Sequence, residues 1–351
     1  MATTLASDTV TTRLDAHLAR VTRSRARRGL PAPQVLVRAP GLEYVSGDRE
    51  LPFHAASVGK LATAALVMQQ VELGAFALDT PVRELLPADE TAGLFAAPGA
   101  TVAHLLGHTS GVADYFDGPV THGPPLRRLV VDEPERMWSE HELLAISRER
   151  QRPVGRPGQR FSYSDTGYVL LGRIVEVATG ETYAALTRSR VLDRAGMARS
   201  VLWQREPGPE RIAPLWLGKH ELSRARSISC DWAGGGIVST LDDLARLATA
   251  LTDGTLVRPE TFATMAQPRE RFRAGIHYGL GTMQLRFGGF SPFLRHLPRP
   301  VGHLGVLGVH CFTDPERDTT VILNFHSTRE MRASFQTHIR IATLLDRLAR
   351  E

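Results

Sequence analysis

The sequence predicts an α+β fold, with an antiparallel β-sheet that is flanked by helices, is built from both chain ends and has a mainly helical region inserted between them. Three observations predict this fold. Short strand-like segments follow a first helical pattern near the N-terminus, helical patterns dominate the middle, and strand-like segments return in the last third. Strands and helices that are segregated along a chain are typical of α+β proteins.

The N-terminal part is predicted to contain two helices and a hairpin. Apolar residues recur at helical spacing within residues 1–30, and again from Val58 to about Leu73, where Gly74 suits a helix end. Between them, residues 34–38 and 42–46 flank an Ala-Pro-Gly turn, which predicts a β-hairpin.

The middle and C-terminal parts supply the remaining predicted elements. A turn with a short helix is expected over residues 79–87. Further helices are expected at 102–106, 140–150, 167–178 and 183–191. Ser239 or Thr240 is expected to cap a later helix, because acidic residues follow in its first turn. Strands are expected at 278–287, 302–303, 306–312 and 319–324, with a turn at 314–318 and a closing helix at 329–350.

Composition excludes several classes of protein. The 351 residues carry a formal net charge of +5, but the basic residues are scattered, and the run from Arg23 to Arg28 is interpreted as a solvated helix face rather than a nucleic-acid arm. No apolar run is long enough for a transmembrane helix or resembles a signal peptide. Cys230 and Cys311 lack metal-ligand spacing and are interpreted as reduced thiols, although a pairing stays open. A cytoplasmic protein without a nucleic-acid or membrane partner is therefore expected, and its oligomeric state is left open.

Lysine is rare in this chain. Only Lys60 and Lys219 are lysines among 42 basic residues, so arginine supplies nearly all of the positive charge. Arginine cannot lose its proton in a protein, whereas a desolvated lysine can. A lysine in a motif is therefore more informative here than usual.

Ser57 and Lys60 fit the pattern Ser-x-x-Lys. If Ser57 opens the predicted helix, a spacing of three puts both side chains on one face, about one turn apart. Serine needs a base to become a nucleophile, and lysine can be that base if its amine loses its proton. The alternative is that Ser57 only caps the helix and that Lys60 is a surface residue.

Two later segments complete the pattern. Tyr163 lies in a loop just before a predicted helix, where it can share proton transfer with Lys60 or simply pack in the core. His303 lies in Gly302-His303-Leu304-Gly305, where the glycines allow close approach of a substrate. His303 is expected either to contact the substrate or to be an ordinary histidine at a strand edge.

In order, these elements resemble the serine β-lactamase and penicillin-binding-protein superfamily, particularly the branch with class C β-lactamases, D,D-carboxypeptidases, D-aminopeptidases, esterases and acyltransferases. Its Ser-x-x-Lys, Tyr-x-Asn and Lys/His-Thr/Ser-Gly motifs appear as Ser57/Lys60, Tyr163/Asp165 and His303/Gly305. Residues 104–111 and 233–244 also resemble that branch. The resemblance runs from about residue 33 to 350. It implies one β-lactamase/transpeptidase-like catalytic domain over 1–351, with a sheet-bearing part at about 10–60 and 226–351 and a helical part at about 61–225.

The resemblance also implies a role for each matching residue. Ser57 would be acylated, and Lys60 with Tyr163 would pass its proton to the leaving group. The backbone N–H groups of Ser57 and Val306 would form an oxyanion hole, a kind of site in which one donor is typically worth about 3–4 kcal/mol. No metal or cofactor is implied, and His104 and His108, although spaced for zinc, are interpreted as structural.

Two positions depart from the family pattern. Asp165 replaces the usual Asn, and a carboxylate only accepts hydrogen bonds, so it is expected either to pair with Lys60 or to receive a substrate ammonium group. Leu304 replaces the usual hydroxyl residue, which with Gly305 and His303 would form the substrate-binding strand. The loss of that hydroxyl predicts weak or absent β-lactamase activity.

The sequence therefore predicts a serine hydrolase, of esterase or amidase type, that acts on a small-molecule ester or amide through an acyl-Ser57 intermediate. Acyl transfer to an amine or alcohol stays open, because it differs from hydrolysis only in which nucleophile completes the second step. The alternatives are a D-amino-acid peptidase or β-lactamase, and a catalytically silent ligand-binding protein on the same scaffold.

Overall fold

A computed structural model describes the backbone of residues 2–350 and the side chains of residues 7–350. Met1 and Glu351, which belong to the predicted first helix and the predicted domain, lie outside the described residues. Helices α1 to α13 run in order over Ala2–Ala26, Lys60–Glu72, Val82–Leu85, Ala88–Thr91, Val102–Leu106, Leu126–Asp132, Glu140–Arg150, Asp165–Thr179, Tyr183–Thr187, Trp232–Gly235, Leu241–Thr252, Pro259–Ala266 and Met331–Leu348. Strands β1 to β13 run over Gln34–Ala39, Leu42–Ser46, Phe53–His54, Val201–Leu202, Trp216–Leu217, His220–Glu221, Ile237–Ser239, Glu270–Arg273, Ile276–Tyr278, Met283–Leu285, Val301–Gly305, Val309–Asp314 and Thr319–Asn324.

The main sheet is antiparallel and has eight strands in the order β2-β1-β13-β12-β11-β10-β9-β8. Its first two strands come from the N-terminal part of the chain and its other six from the C-terminal part. Most of the helices lie in the sequence between these two groups. The predicted α+β fold, built from both chain ends, is confirmed.

Side chains alternate across the sheet and bury both of its faces. Val35 and Val37 of β1, paired with Leu323 and Val321 of β13, pack in a cluster with α1 and α13. Leu36 and its partner Ile322 point to the other face and join the larger core. Strand side chains alternate with a period of two, so one run of apolar residues serves both layers.

The helical region is centred on α2, which is buried on nearly its whole circumference. A helix that is apolar all round belongs in the interior of a protein, and α2 is enclosed by neighbours that include α8 and α10. In α8, a Cβ on Gly172 would lie 2.8 Å from both the Trp232 ring and the Ala233 Cβ, so a glycine is needed where α8 meets α10.

Two predicted strands are corrected by the structure. The segment predicted as one strand at 278–287 is a hairpin of β9 and β10, and it reverses near Gly281, whose φ is +77°. A Cβ there would lie 2.2 Å from the Ala64 Cβ, so glycine permits both the turn and its contact with α2. The strand predicted at 306–312 begins only at Val309, because Gly305 to Gly308 form a tight turn.

Two of the predicted helices differ in detail from those of the structure, and one predicted cap is confirmed. The helix predicted from Val58 begins as a 3₁₀ turn at Ala56–Gly59 and becomes α2 at Lys60. The helix predicted at 183–191 is divided into α9 and a π-helical turn at Arg188–Leu192. Thr240 is the N-cap of α11, and its hydroxyl accepts a hydrogen bond from the Asp243 amide.

The structure also bears on two predictions made from composition. Among residues 2–350, no helix has both the length and the apolar character needed to cross a membrane. Cys230 and Cys311 are both buried and free, so they do not pair with each other.

Candidate active site

Ser57 lies in the 3₁₀ turn before α2 and lines a cavity of about 550 Å³. Two glycines from distant parts of the chain pack against this turn. A Cβ on Gly305 would lie 2.6 Å from the Ala55 carbonyl oxygen, and one on Gly235 would lie 2.7 Å from that of Ala56. Glycine is therefore required at both positions for β11 and α10 to approach the backbone around Ser57.

Lys60 reaches Ser57 from inside the protein. Its side chain is fully buried, and its amine donates to Ser57 Oγ at 3.3 Å and to the Gly234 carbonyl oxygen at 2.5 Å, and also to the Asp165 carboxylate. An ammonium group has three N–H donors, and these three acceptors match them. The pairing of Asp165 with Lys60, one of two outcomes that the sequence left open, is what the structure has.

Tyr163 lies beside both residues. Its ring centroid is 5.1 Å from Lys60 Nζ, and Tyr163 lines the same cavity as Ser57. Burial, and then the nearby Asp165 carboxylate, hold the pKa of the Tyr163 hydroxyl well above its usual value. The resting tyrosine therefore keeps its proton and is suited to relay a proton rather than to remain as a phenolate.

Val306 follows β11 and is the second residue of the turn in which the Gly308 amide donates to the Gly305 carbonyl oxygen. Within residues 2–350, the Val306 amide donates to no backbone carbonyl. Val306 and Ser57 both line the cavity. The two residues whose amides the resemblance assigns to an oxyanion hole therefore line the same cavity.

His303 is buried behind this wall. Its Nδ1 donates to the Leu304 carbonyl oxygen at 2.8 Å, and its Nε2 accepts from the Tyr278 hydroxyl at 2.9 Å. Burial, and then Lys60, lower the pKa of His303 to about 3, so the ring is neutral. Both ring nitrogens are therefore bonded within the protein, and His303 is not among the residues that line the cavity, so its contact with a substrate stays a prediction.

Tyr278 connects His303 to a second buried histidine. His108 accepts a hydrogen bond from the Ser164 amide through Nδ1 and therefore donates through Nε2 to the Tyr278 hydroxyl, at 3.0 Å. The His108 ring stacks on Tyr163 with centroids 4.1 Å apart. Sequence analysis did not single out Tyr278, since one tyrosine in a short strand carries no signal of its own.

Strained backbone is concentrated around the site. Ala56, His108 and Trp232 are non-glycine residues with φ of +49°, +56° and +26°. Each adjoins or belongs to a segment that holds a site residue in place. Such conformations cost about 1–3 kcal/mol each and persist where the surrounding structure over-determines them, often at functional sites.

The predicted site residues fall into two groups. Those that line the cavity are Ser57, Tyr163, Asp165, Leu304, Gly305 and Val306. Lys60 and His303 are fully buried and do not line the cavity themselves, although residues that they contact do.

Three more carboxyl groups line the same cavity, from Asp114, Asp117 and Asp231. Burial, and then the charge of Asp165, raise the pKa of Asp114 and of Asp231 to about 7. Sequence analysis missed them, although two lie close to segments that resemble the family. Asp114 lies three residues after the segment 104–111, and Asp231 lies two residues before the segment 233–244. Only the tertiary structure brings those segments together.

His104 and His108 have different hydrogen-bond partners. His104 forms a capping box with Thr101 at the start of α5, whereas His108 is bonded to Tyr278 and Ser164. Within the described part of the chain, no three His, Cys, Asp or Glu side chains form a group that could hold a metal ion.

Comparison with known protein families identifies this arrangement. The beta-lactamase family model matches residues 34–345. The chain belongs to the beta-lactamase family. This match includes every predicted site residue, from Ser57 to Val306.

Two curated members of the beta-lactamase family illustrate the relationship. The chain is 34% identical to penicillin-binding protein 4 of Amycolatopsis lactamdurans over 188 residues, which are 54% of this chain and 45% of that protein. It is 28% identical to esterase EstB of Burkholderia gladioli over 338 residues, which are 82% of this chain and 81% of that protein. The match thus spans less than half of the first of these relatives.

A solved structure gives the same fold. The D-amino acid amidase from Ochrobactrum anthropi SV3, complexed with L-phenylalanine amide, superposes with a TM-score of 0.77 at 22% identity, over 96% of this chain and 100% of that one. At this identity the likeness establishes the beta-lactamase fold alone.

Proposed function

We propose that this protein is a serine hydrolase that acts on a small ester or amide through an acyl-enzyme on Ser57. The observation that carries the proposal is the contact of one buried amine, from Lys60, with Ser57 Oγ at 3.3 Å at the edge of a cavity. A serine that only caps a helix needs no such partner, and Ser57 is not an N-cap of α2.

In the first step, Ser57 Oγ attacks the carbonyl carbon of the substrate while its proton passes to the Lys60–Tyr163 pair. Lys60 must lose one proton beforehand, because an ammonium group has no lone pair to accept another. The oxygen of the tetrahedral intermediate takes the negative charge, and the amides of Ser57 and Val306 stabilise it. Collapse breaks the bond to the leaving group, which takes the proton and departs as an alcohol or amine.

In the second step, water attacks the acyl-Ser57 carbonyl and gives up its proton to the same pair. The acid product leaves, and Ser57 regains its proton. An alcohol or amine in place of water would complete an acyl transfer with the same residues. The relative that is named an esterase supports an ester substrate.

The experiment is a panel of p-nitrophenyl esters, D-amino acid amides and nitrocefin, assayed with the wild type and with Ser57→Ala. We expect turnover of an ester or amide, slow or absent turnover of nitrocefin, and loss of turnover in Ser57→Ala by about 1,000-fold or more. Intact-mass spectrometry of the wild type should detect an adduct equal to the acyl group.

Ser189→Ala is the matched control, since Ser189 is exposed and donates only to a carbonyl of its own helix. It should keep the wild-type rate. Activity that survives in Ser57→Ala, or an adduct on another residue, would overturn the proposal. Absence of both turnover and adduct across the panel would favour the silent ligand-binding alternative.

A further inference from the structure

The cavity around Ser57 has a strongly one-sided charge. Its lining contains the carboxyl groups of Asp114, Asp117, Asp165 and Asp231 and a single basic residue, Arg273. The Arg273 guanidinium is exposed and lies 5.1 Å from the centroid of the Phe272 ring. A substrate that enters this cavity therefore meets an excess of negative charge.

Three of these carboxyl groups already have partners. Asp165 pairs with Lys60, and Asp117 pairs with Arg127 at 3.4 Å. Asp114 accepts hydrogen bonds from the backbone amides of residues 116, 117 and 165, at 3.1–3.2 Å. Their charges are balanced within the protein, at least in part.

Asp231 is different. Its one polar contact is the weakly donating thiol of Cys230, at 3.9 Å. No basic side chain lies within 4.0 Å of its carboxylate in the described structure. The Asp231 side chain is only partly exposed. A carboxyl group that loses part of its solvent and has no strong partner is costly to ionise unless a cation joins it.

The Asp231 carboxylate is held near Asp165 by the chain that follows it. Gly234, three residues after Asp231, packs against Asp165, since a Cβ on Gly234 would lie 3.2 Å from Asp165 Oδ1. On the other side, the Tyr115 hydroxyl donates to the Cys230 carbonyl oxygen at 2.7 Å and ties this segment to the loop of Asp114. Three separate segments of the chain thus place carboxyl groups at one end of the cavity.

We propose that Asp231, together with Asp165 and Asp114, forms a subsite that binds an ammonium group of the substrate, so that this enzyme selects cationic esters or amides. This proposal rests on the proposed function, since it assigns the substrate class of the same cavity. A substrate carboxylate is disfavoured there because like charges repel. Apolar walls from Phe116, Pro119 and Phe272 leave the rest of the cavity open to an uncharged group.

The subsite also couples substrate binding to activation of the nucleophile. An ammonium group beside Asp165 competes with Lys60 for the same carboxylate. It also brings a like charge near the Lys60 amine, which favours the neutral form that can accept a proton from Ser57. A cationic substrate is therefore expected to raise kcat as well as to lower KM.

Binding should depend on pH in a defined direction. The groups that face Asp231 are the Asp165 carboxyl, the Lys60 amine, the Cys230 thiol and the hydroxyls of Tyr115 and Tyr163. Since the pKa of Asp231 is raised to about 7, the subsite gains negative charge between about pH 6 and 8. A bound cation should then be held more tightly as the pH rises.

The experiment measures competitive inhibition of p-nitrophenyl butyrate hydrolysis by butylammonium, 1-butanol and butyrate, which have similar size and differ in charge. We expect butylammonium to bind at least ten-fold more tightly than 1-butanol, and butyrate to bind more weakly than either. A charge-assisted hydrogen bond of about 1.5–3 kcal/mol corresponds to roughly ten-fold or more. The preference for butylammonium should grow between pH 6 and 8.

The same ratio is then measured in Asp231→Asn and in Asp253→Asn, whose carboxylate is exposed and caps a turn far along the chain. The ratio of the two inhibition constants should fall about ten-fold in Asp231→Asn and stay at the wild-type value in Asp253→Asn. In parallel, p-nitrophenyl 6-aminohexanoate should exceed p-nitrophenyl heptanoate in both kcat and 1/KM for the wild type.

Equal inhibition by butylammonium and 1-butanol, or a preference that persists in Asp231→Asn, would overturn the subsite. Either result can occur while Ser57 is acylated normally, so it is distinct from a failure of the proposed function, in which no turnover depends on Ser57. A preference for butyrate would instead assign the cavity to anionic substrates.

Discussion

Lys60 and Asp165 form an ion pair in which the amine is fully buried and the carboxylate is 18% exposed. The same amine donates to Ser57 Oγ, so the counter-ion of the proposed base also lies near the proposed nucleophile. In this chain the Asp replaces the amide of the family pattern, and the replacement adds a negative charge where Lys60 must give up a proton.

Asp165→Asn should therefore make the neutral amine of Lys60 available at lower pH. We expect the acidic limb of the kcat/KM profile for a neutral ester to move to lower pH, because the amide no longer favours the ammonium form. The measurement is a pH–rate profile from pH 5 to 9 for the wild type and the variant. An acidic limb that stays in place would show that Asp165 does not tune the pair.

Val306→Pro should remove one oxyanion donor while keeping the turn. Val306 is the second residue of the turn from Gly305 to Gly308, a position that proline favours. Loss of its N–H should lower kcat by about 100- to 1,000-fold with little change in KM. Val306→Ala keeps the N–H and should retain activity, so an equal loss in both variants would exclude the amide as the cause.

Tyr278→Phe should loosen the wall behind Tyr163. The change leaves His108 Nε2 and His303 Nε2 buried without a partner, which should lower the free energy of unfolding by about 2–6 kcal/mol. Because His108 stacks on Tyr163, kcat should fall several-fold, whereas KM should change little. Tyr44→Phe is the control, because the Tyr44 hydroxyl donates to Asp15 in α1. A similar loss of activity in Tyr44→Phe would contradict a positioning role for Tyr278.

Arg25→Met should destabilise the junction between the two chain ends. The Arg25 guanidinium is fully buried and donates to Glu330, to the Phe325 carbonyl oxygen and to the Pro31 carbonyl oxygen, at 2.7–2.8 Å. Removing one partner of a buried pair costs about 3–5 kcal/mol. Because Arg28 still pairs with Glu330 at 2.5 Å, we expect the lower end of this range, measurable by urea unfolding. The exposed Arg23→Met should stay within about 0.5 kcal/mol of the wild type, and an equal effect of both would argue against this ion pair.

Asp231→Asn should stabilise the folded protein at high pH. The pKa of Asp231 is raised from 3.8 to about 7 in the folded state, so its protonated form is favoured there. The stability that this proton contributes is fully present below about pH 4 and is lost as the pH rises through 7. The variant should therefore exceed the wild type by about 1–2 kcal/mol at pH 8 and by little at pH 4. Thermal unfolding at both values tests this, and a difference that is independent of pH would contradict the assignment.

Local patterns were enough to predict much of this protein. Hydrophobic periodicity and turn residues predicted the first hairpin, the terminal helix and the segregation of strands from helices, since these depend on which face of each element is buried. The order of the motifs predicted that Ser57, Lys60 and Tyr163 lie together, and Lys60 contacts both of the other residues in the structure. Gly305 was expected to allow close approach of a substrate. The structure shows that it also allows close approach of the chain itself, since a Cβ there would lie 2.6 Å from the Ala55 carbonyl oxygen.

The tertiary structure decided the charges and the partners. Whether Asp165 would pair with Lys60 or stay free for a substrate depended on the position of α8 relative to α2, which no local pattern fixes. His303 was placed behind the wall because Tyr278, from a different strand, occupies its Nε2. Asp231, whose carboxyl has no basic partner, lines one cavity with Asp114 and Asp165 only because three segments far apart in sequence converge. No local pattern predicts this arrangement, because electrostatic energy depends on distance in space rather than along the chain.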